Sequence, residues 1–145
     1  MGLGVSADLP ENCSIINVFQ MENRKVESFK DLFVWQKGIE LVNEIYNLTK
    51  HFPKEELYCL TSQIRRAAIS VPSNIAEGWG RGTTKNYIQF LEISRGSLYE
   101  INTLIIISYN QNYVNKENSD KIEGQINEIG RMLNTLITKL ESKNK

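Results

Sequence analysis

From about residue 31 to the carboxyl end, apolar residues recur at steps of three and four, which is the spacing of one face of an α-helix. Four such stripes follow one another along the chain. They contain Leu32, Trp35, Ile39, Val42 and Tyr46; Leu57, Leu60, Ile64, Ala68, Val71 and Ile75; Tyr87, Leu91, Ser94, Leu98, Ile101 and Ile105; and Ile122, Ile126, Ile129, Leu133, Leu136 and Leu140. The pattern predicts four helices, and the regular alternation in the fourth is typical of a left-handed bundle.

Residues that begin or end helices place the boundaries between the stripes. Asp31 suits the start of the first helix, because a carboxylate there accepts from free backbone amides. The first helix is expected to end before Pro53, and the second to begin there and run to the glycines at positions 78, 80 and 82. Pro72 lies inside the second helix and is expected to kink or break it. Thr83 or Thr84 is the expected cap of the third helix.

Connections of only a few residues require neighbouring helices to run antiparallel. The predicted fold is therefore an all-α, up-down-up-down antiparallel four-helix bundle over residues 29–145, with its second helix kinked near Pro72. Residues 104–107 are all apolar and are expected to be covered on more than one side. Residues 1–28 are predicted to be an extension outside the core, with Met21 as a second candidate start. The alternative is a docking arm whose apolar residues at 15, 16, 18 and 19 pack on a neighbour.

Charge and composition limit the classes of function. Seventeen basic residues balance seventeen acidic ones, and the isoelectric point is about 6.6. Proteins that coat nucleic acid by bulk charge usually have a pI above about 9, so nucleic-acid binding would need a local patch. No stretch has the ~18 apolar residues of a membrane span, and the start lacks a signal-peptide pattern. We expect a cytoplasmic protein without a membrane partner, in which Cys13 and Cys59 are free thiols.

Residues that would support catalysis or metal binding are few and poorly grouped. The single histidine, His51, belongs to no Glu-x-x-His motif and suits the cation at a helix C-terminus. Glu40 and Glu44 lie one turn apart without a third carboxylate, which favours a solvated acidic face. Cys59 has no histidine nearby in sequence and is expected to be a small core thiol. The sequence therefore predicts no catalytic residue, no metal site and no cofactor.

The segment from residue 63 to residue 99 carries the remaining candidate chemistry. Basic residues outnumber acidic ones there and alternate with aromatic residues, which predicts a patch that holds phosphates and stacks bases. Its candidate binding residues are Arg65, Arg66, Arg81, Lys85 and Arg95, interleaved with Trp79, Tyr87 and Tyr99. The alternative is a structural polar network in which Glu77 pairs with Arg66 or Arg95. The candidate members of that network are Arg66, Ser73, Asn74 and Glu77.

Five motifs, in this order, carry a family resemblance. They are Phe29-Lys-Asp-Leu-Phe-Val-Trp-Gln-Lys-Gly, Phe52-Pro-Lys-Glu-Glu, Leu60-Thr-Ser-Gln-Ile-Arg-Arg-Ala-Ala, Ser70-Val-Pro-Ser-Asn-Ile-Ala-Glu-Gly and Arg95-Gly-Ser-Leu-Tyr-Glu. Over about residues 29–140 the chain resembles the bacterial four-helix bundle family of 23S rRNA intervening-sequence proteins. Cys59 departs from the family motif, which more often has glycine there, and the residues before Met21 lie outside the family pattern.

The resemblance implies a closed four-helix bundle that assembles into a ring, a homopentamer. Some members of the family are encoded within extra segments of large-subunit ribosomal RNA genes. The bundle is also similar to the accessory protein of diversity-generating retroelements, which contacts a reverse transcriptase and nucleic acid.

Two functions fit these observations. The first is a non-enzymatic, ring-forming protein that associates with RNA or a ribonucleoprotein through the local basic patch. The alternative is a structural adaptor that binds a protein partner, such as a reverse transcriptase or another polymerase, without touching nucleic acid. A hydrolase or nuclease would need carboxylates grouped around a metal ion, and the sequence does not group them.

Overall fold

The computed structural model describes residues 26–143, and this part of the chain contains helices and no strand. The four α-helices are α1 (Phe33–Thr49), α2 (Leu60–Gly80), α3 (Thr84–Asn110) and α4 (Lys116–Lys143). Two short 3-10 turns, Phe29–Asp31 and Lys54–Glu56, precede α1 and α2. The prediction of an all-α, four-helix fold is confirmed. Of the predicted extension, residues 1–25 lie outside the described residues, whereas Val26 packs against the core.

Each helix packs against its neighbour in the chain, and α4 returns to pack against α1. Contacts between neighbours run in opposite directions along the two helices, as in an antiparallel bundle. The contacting pairs include Gly38 with Pro72, Arg65 with Thr49, Ser70 with Ser97, Gly78 with Phe90, Arg95 with Asn134, and Lys37 with Glu128. No helix in the described part of the chain is long and apolar enough to cross a membrane.

Helix α1 turns a different face to the core from the one that its large apolar residues predict. A 3-10 turn precedes it, in which the Ser28 amide donates to the Asp31 carboxylate over 3.1 Å, so Asp31 caps this turn and α1 begins at Phe33. The buried residues of α1 are Val34, Gly38, Leu41, Ile45 and Thr49. The predicted residues Trp35, Ile39, Val42 and Tyr46 are only partly buried. The face toward α2 contains a glycine, which a count of large apolar residues cannot detect.

Helix α2 begins later than predicted and continues through its proline. Lys54–Glu56 forms a separate 3-10 turn, and the α-helix begins at Leu60. Pro72 removes one backbone donor, yet the helix is unbroken to Gly80. A Cβ atom on Gly38 would lie 3.3 Å from the Pro72 Cβ, so the proline packs closely against α1. Of the two predicted outcomes at Pro72, a kink or a break, the break does not occur.

The predicted stripes of α3 and α4 form most of the remaining core. In α3, Leu91, Ser94, Leu98, Ile101 and Ile105 are buried, and Tyr87 is partly buried. In α4, Ile122, Ile126, Ile129, Leu133 and Leu136 are buried, and Leu140 is partly buried. Residues 104–107 are expected from the sequence to be covered on more than one side. In the single chain, Leu104 and Ile105 are buried, but Ile106 and Ile107 are 53% and 41% exposed.

Helices α2 and α3 approach each other closely beside the turn that joins them. The Thr83 hydroxyl caps α3 by accepting from the Asn86 amide over 3.2 Å, which confirms one of the two predicted caps. A Cβ atom on Gly78 would lie 2.8 Å from the Phe90 Cβ and 3.1 Å from the Tyr87 Cδ1. Burial against α2 raises the pKa of the Tyr87 phenol. This end of the bundle therefore has no room for a side chain at position 78.

We expect Gly78→Ala to lower the free energy of unfolding by about 1–2 kcal/mol. Overpacking costs about 1–3 kcal/mol, whereas alanine recovers up to about 1 kcal/mol of helix propensity. Urea denaturation followed by circular dichroism measures the difference. The matched control is Gly124→Ala in α4, where nothing lies within 4 Å of the new Cβ atom. We expect this control to be neutral or stabilising, and equal effects at both positions would contradict the close approach of α2 and α3.

Candidate nucleic-acid interface

The structure distributes the five predicted basic residues over several parts of the bundle surface. Arg65 lies between α1 and α2, where its Nε donates to the Thr49 hydroxyl over 2.8 Å. Its guanidinium also lies 4.5 Å from the centre of the Tyr46 ring, in a cation–π contact. Arg65 therefore links two helices, and part of its hydrogen-bonding capacity is used inside the protein.

Arg81 is likewise engaged within the chain. Its Nη2 lies 2.6 Å from the Glu77 carboxylate, and its guanidinium lies 4.9 Å from the centre of the Phe90 ring. Glu77 therefore pairs with Arg81, one turn away on the same exposed surface, and the predicted pair with Arg66 or Arg95 does not form. An exposed pair of this kind contributes less than about 1 kcal/mol to stability.

Arg66 and Lys85 are exposed, and the side chain of neither forms an ion pair or hydrogen bond with another described residue. Their cations are available to contact phosphate groups. The predicted patch thus separates into residues whose cations contact other side chains of the protein, such as Arg65 and Arg81, and residues whose cations are free, Arg66 and Lys85.

The polar network next to Pro72 shares only Asn74 with the predicted one. The side-chain amide of Asn74 donates to the Ser70 hydroxyl and to the Ser70 backbone carbonyl, each over 2.8 Å. The Ser70 hydroxyl lies 2.8 Å from the Ser97 hydroxyl of α3, and the Ser94 hydroxyl donates to the Val71 carbonyl over 2.8 Å. Arg66, Ser73 and Glu77 are exposed and take no part in this network. The network joins α2 to α3 around the proline.

A groove between α3 and α4 brings together polar side chains from both helices. It measures about 240 Å³, and its polar lining consists of Arg95, Tyr99 and Asn102 from α3, and Asn127, Arg131 and Asn134 from α4. Both triplets have the spacing i, i+4, i+7, so each lies along one side of its helix. The sequence predicts two of these six residues, Arg95 and Tyr99, and not the other four. The repeated spacing is the signal that could have identified them.

The two arginines of the groove differ in whether other side chains bind their guanidinium groups. An Nη atom of Arg95 donates to the Asn134 side-chain oxygen over 2.8 Å, and its other Nη lies 3.6 Å from the Glu92 carboxylate. The guanidinium of Arg131 is exposed and has no hydrogen bond or ion pair with another described residue. Arg95 is therefore fixed in place beside Tyr99, whereas Arg131 is free to bind an anion.

Groups that could hold a metal ion or act as a nucleophile are sparse. Within residues 26–143, no three His, Cys, Asp or Glu side chains come close enough together to bind a metal ion. His51 is exposed just beyond α1. Cys59 is also exposed, directly before α2, so the prediction of a core thiol is wrong. Because α2 begins at Leu60, Cys59 lies outside the helix and does not face the core.

The comparison with protein families matches residues 30–135 to the 23S rRNA-intervening sequence proteins. The chain belongs to this family. The same fold occurs in the crystal structure of a protein of unknown function from the S23 ribosomal protein family of Bacteroides thetaiotaomicron. Its TM-score is 0.68 at 24% identity, and the alignment covers 72% of this chain and 95% of that one. No curated protein matches the chain.

We expect Asn74→Ala to lower the free energy of unfolding by about 1 kcal/mol, because it removes two side-chain hydrogen bonds and recovers some helix propensity. The neighbouring Ser73→Ala is the control, since Ser73 is exposed and outside the network. The control should remain within about 0.5 kcal/mol of the original protein. Thermal and urea unfolding of both variants measure this, and equal stabilities would contradict a structural role for Asn74.

Proposed function

We propose that this member of the 23S rRNA-intervening sequence family is a non-enzymatic protein that assembles into a ring and associates with RNA. The observation that carries the RNA proposal is that Arg66, Lys85 and Arg131 are among the exposed cations whose side chains have no partner within the described residues. Phosphate contacts made by such side chains release counterions and supply most sequence-independent affinity for nucleic acid. The name of the family, which refers to ribosomal RNA, agrees with this class of ligand.

Exposed apolar residues support the assembly. Ile69 of α2 and Ile93 of α3 are 41% and 47% exposed. Both lie beside the contact that joins these helices, because Ser70, next to Ile69, contacts Ser97, whose hydroxyl donates to the Ile93 carbonyl. Large apolar side chains that cluster at the surface mark interaction sites. We assign this pair to contacts between copies of the chain, and a ring of five is the assembly that the family resemblance implies.

The same apolar residues favour a second candidate function, an adaptor that binds a protein such as a polymerase. In that case Ile69 and Ile93 meet the partner, and the purified protein has no affinity for RNA. The two candidates therefore differ in whether the protein alone binds RNA.

We expect the purified protein to bind a fluorescently labelled ribosomal RNA fragment in an anisotropy titration, with an affinity that falls as salt is raised. Arg66→Gln together with Lys85→Gln should weaken binding by about tenfold and reduce the slope against log salt by about 1.4 for single-stranded regions. The control is Lys37→Gln together with Lys121→Gln, which removes two cations from the opposite, α1–α4 side of the bundle.

Equal losses in the two double variants would show that net charge, rather than position, governs binding. No binding by the unmodified protein at low salt would exclude the RNA proposal and leave the protein adaptor.

We expect Ile93→Asp to convert the assembly toward a 16.7 kDa monomer in analytical ultracentrifugation, because a buried carboxylate would oppose the contact. The control is Ile106→Asp. Ile106 is also exposed but lies thirteen positions further along α3, which turns it by about 140° around the helix. The control should keep the assembly. A monomeric unmodified protein, or an unchanged mass for Ile93→Asp, would contradict the assigned surface.

A further inference from the structure

The groove between α3 and α4 combines features that a phosphate contact alone does not require. A flexible surface cation is sufficient to bind a phosphate. This groove adds an aromatic ring, three amide side chains and an arginine fixed by a neighbour, all around an apolar floor that contains Leu98, Ile126 and Gly130. These groups are suited to a flat ligand with polar edges and an anionic substituent.

Tyr99 supplies the aromatic surface. Its side chain is 70% exposed, and it has no ring contact with another described residue. The only polar neighbours that share the groove with it are arginine and asparagine side chains. An exposed tyrosine beside basic residues is the usual platform on which single-stranded nucleic acids stack their bases.

The amide side chains match the edges of a nucleobase. Each asparagine has an acceptor oxygen and two donor hydrogens, and Asn102 and Asn127 have no side-chain hydrogen bond with another described residue. In a duplex the pairing edges of the bases are occupied and the bases are stacked within the helix. Proteins therefore use such side chains on the unpaired bases of loops and single strands.

The size of the groove favours part of a polymer over a free metabolite. Pockets that bury a small molecule usually have volumes of roughly 300–1,000 Å³. The groove is smaller, at about 240 Å³, and it is partly open to solvent. It therefore fits one base of a strand whose backbone continues along the surface.

We propose that this groove is a binding site for an unpaired base of single-stranded RNA. Tyr99 stacks on the base, Asn102 and Asn127 contact its edges, and Arg131 binds an adjacent phosphate. Arg95, which is bound by Asn134 and Glu92, forms part of the wall of the groove. This inference rests on the proposed association with RNA and specifies the form of RNA that is bound.

The test uses the full chain and compares a labelled, unstructured RNA oligonucleotide with the same strand annealed to its complement. We expect the single strand to bind at least about tenfold more tightly than the duplex. Tyr99→Ala should weaken single-strand binding by about tenfold, whereas Tyr99→Phe should retain it because the ring remains. Arg131→Gln should reduce the slope against log salt by about 0.7, the contribution of one phosphate contact to a single strand.

Two further variants separate the groove from general surface effects. Gly130→Gln fills the floor without changing charge and should weaken binding as strongly as Tyr99→Ala. Its new Cβ atom would meet only the Leu98 Cδ1, at 3.9 Å, so we expect the fold to be retained. Tyr58→Ala is the matched control, because Tyr58 is also an exposed tyrosine but lies before α2, outside the groove. It should bind like the original protein.

Equal binding of single strand and duplex, or full binding by Tyr99→Ala and Gly130→Gln, would overturn this inference. The proposed function would stand in that case if the Arg66 and Lys85 substitutions still weakened binding. Absence of binding to either RNA by the unmodified protein would overturn both proposals together.

Discussion

The close contact of α2 with both of its neighbours determines how the rest of the bundle is arranged. On one side Pro72 packs against Gly38 of α1, and on the other Gly78 packs against Phe90 of α3, with no room for larger side chains. These contacts involve atoms at or near the backbone, so α2 cannot shift without moving whole helices. The Asn74–Ser70–Ser97 hydrogen bonds and the bond from Ser94 to Val71 join α2 to α3 along the same interface. Polar residues around a helical proline are thus part of the packing here.

The fold could be predicted where burial depends on large apolar residues. Helices α3 and α4 bury continuous stripes of leucine and isoleucine, and spacing alone is sufficient to identify them. The buried face of α1 could not be predicted in the same way, because Gly38 faces Pro72 and contributes nothing to an apolar count. The start of α2 was also mistaken, since proline and acidic residues favour the first turn of a 3-10 helix as well as that of an α-helix.

The candidate site was harder to predict, because sequence names charged residues but not their partners. Arg65 and Arg66 are adjacent in sequence, yet one is held by Thr49 and Tyr46 and the other is free at the surface. Glu77 pairs with Arg81 since the two lie one turn apart on the same exposed side of the chain. The groove depends further on the alignment of α3 with α4, which places Arg95 against Asn134. Spacing within each helix could suggest its two walls, but only the packed structure brings them together.

The two exposed edges of α3 differ in chemistry. The edge toward α2 carries the exposed Ile93, whereas the edge toward α4 carries Arg95 and Tyr99 in the groove. In the proposed ring, the apolar edge contacts a neighbouring copy, and the groove lies on the other edge of α3. Under the proposed function, a neutral chain with few phosphate contacts would bind RNA weakly as a single copy, but linked sites would raise the effective concentration for every contact after the first. The affinity for a long RNA then depends on the number of copies, while the affinity for a short oligonucleotide depends on one groove. In this proposal, repetition of the site therefore supplies the affinity for RNA that the balanced charge of the chain does not.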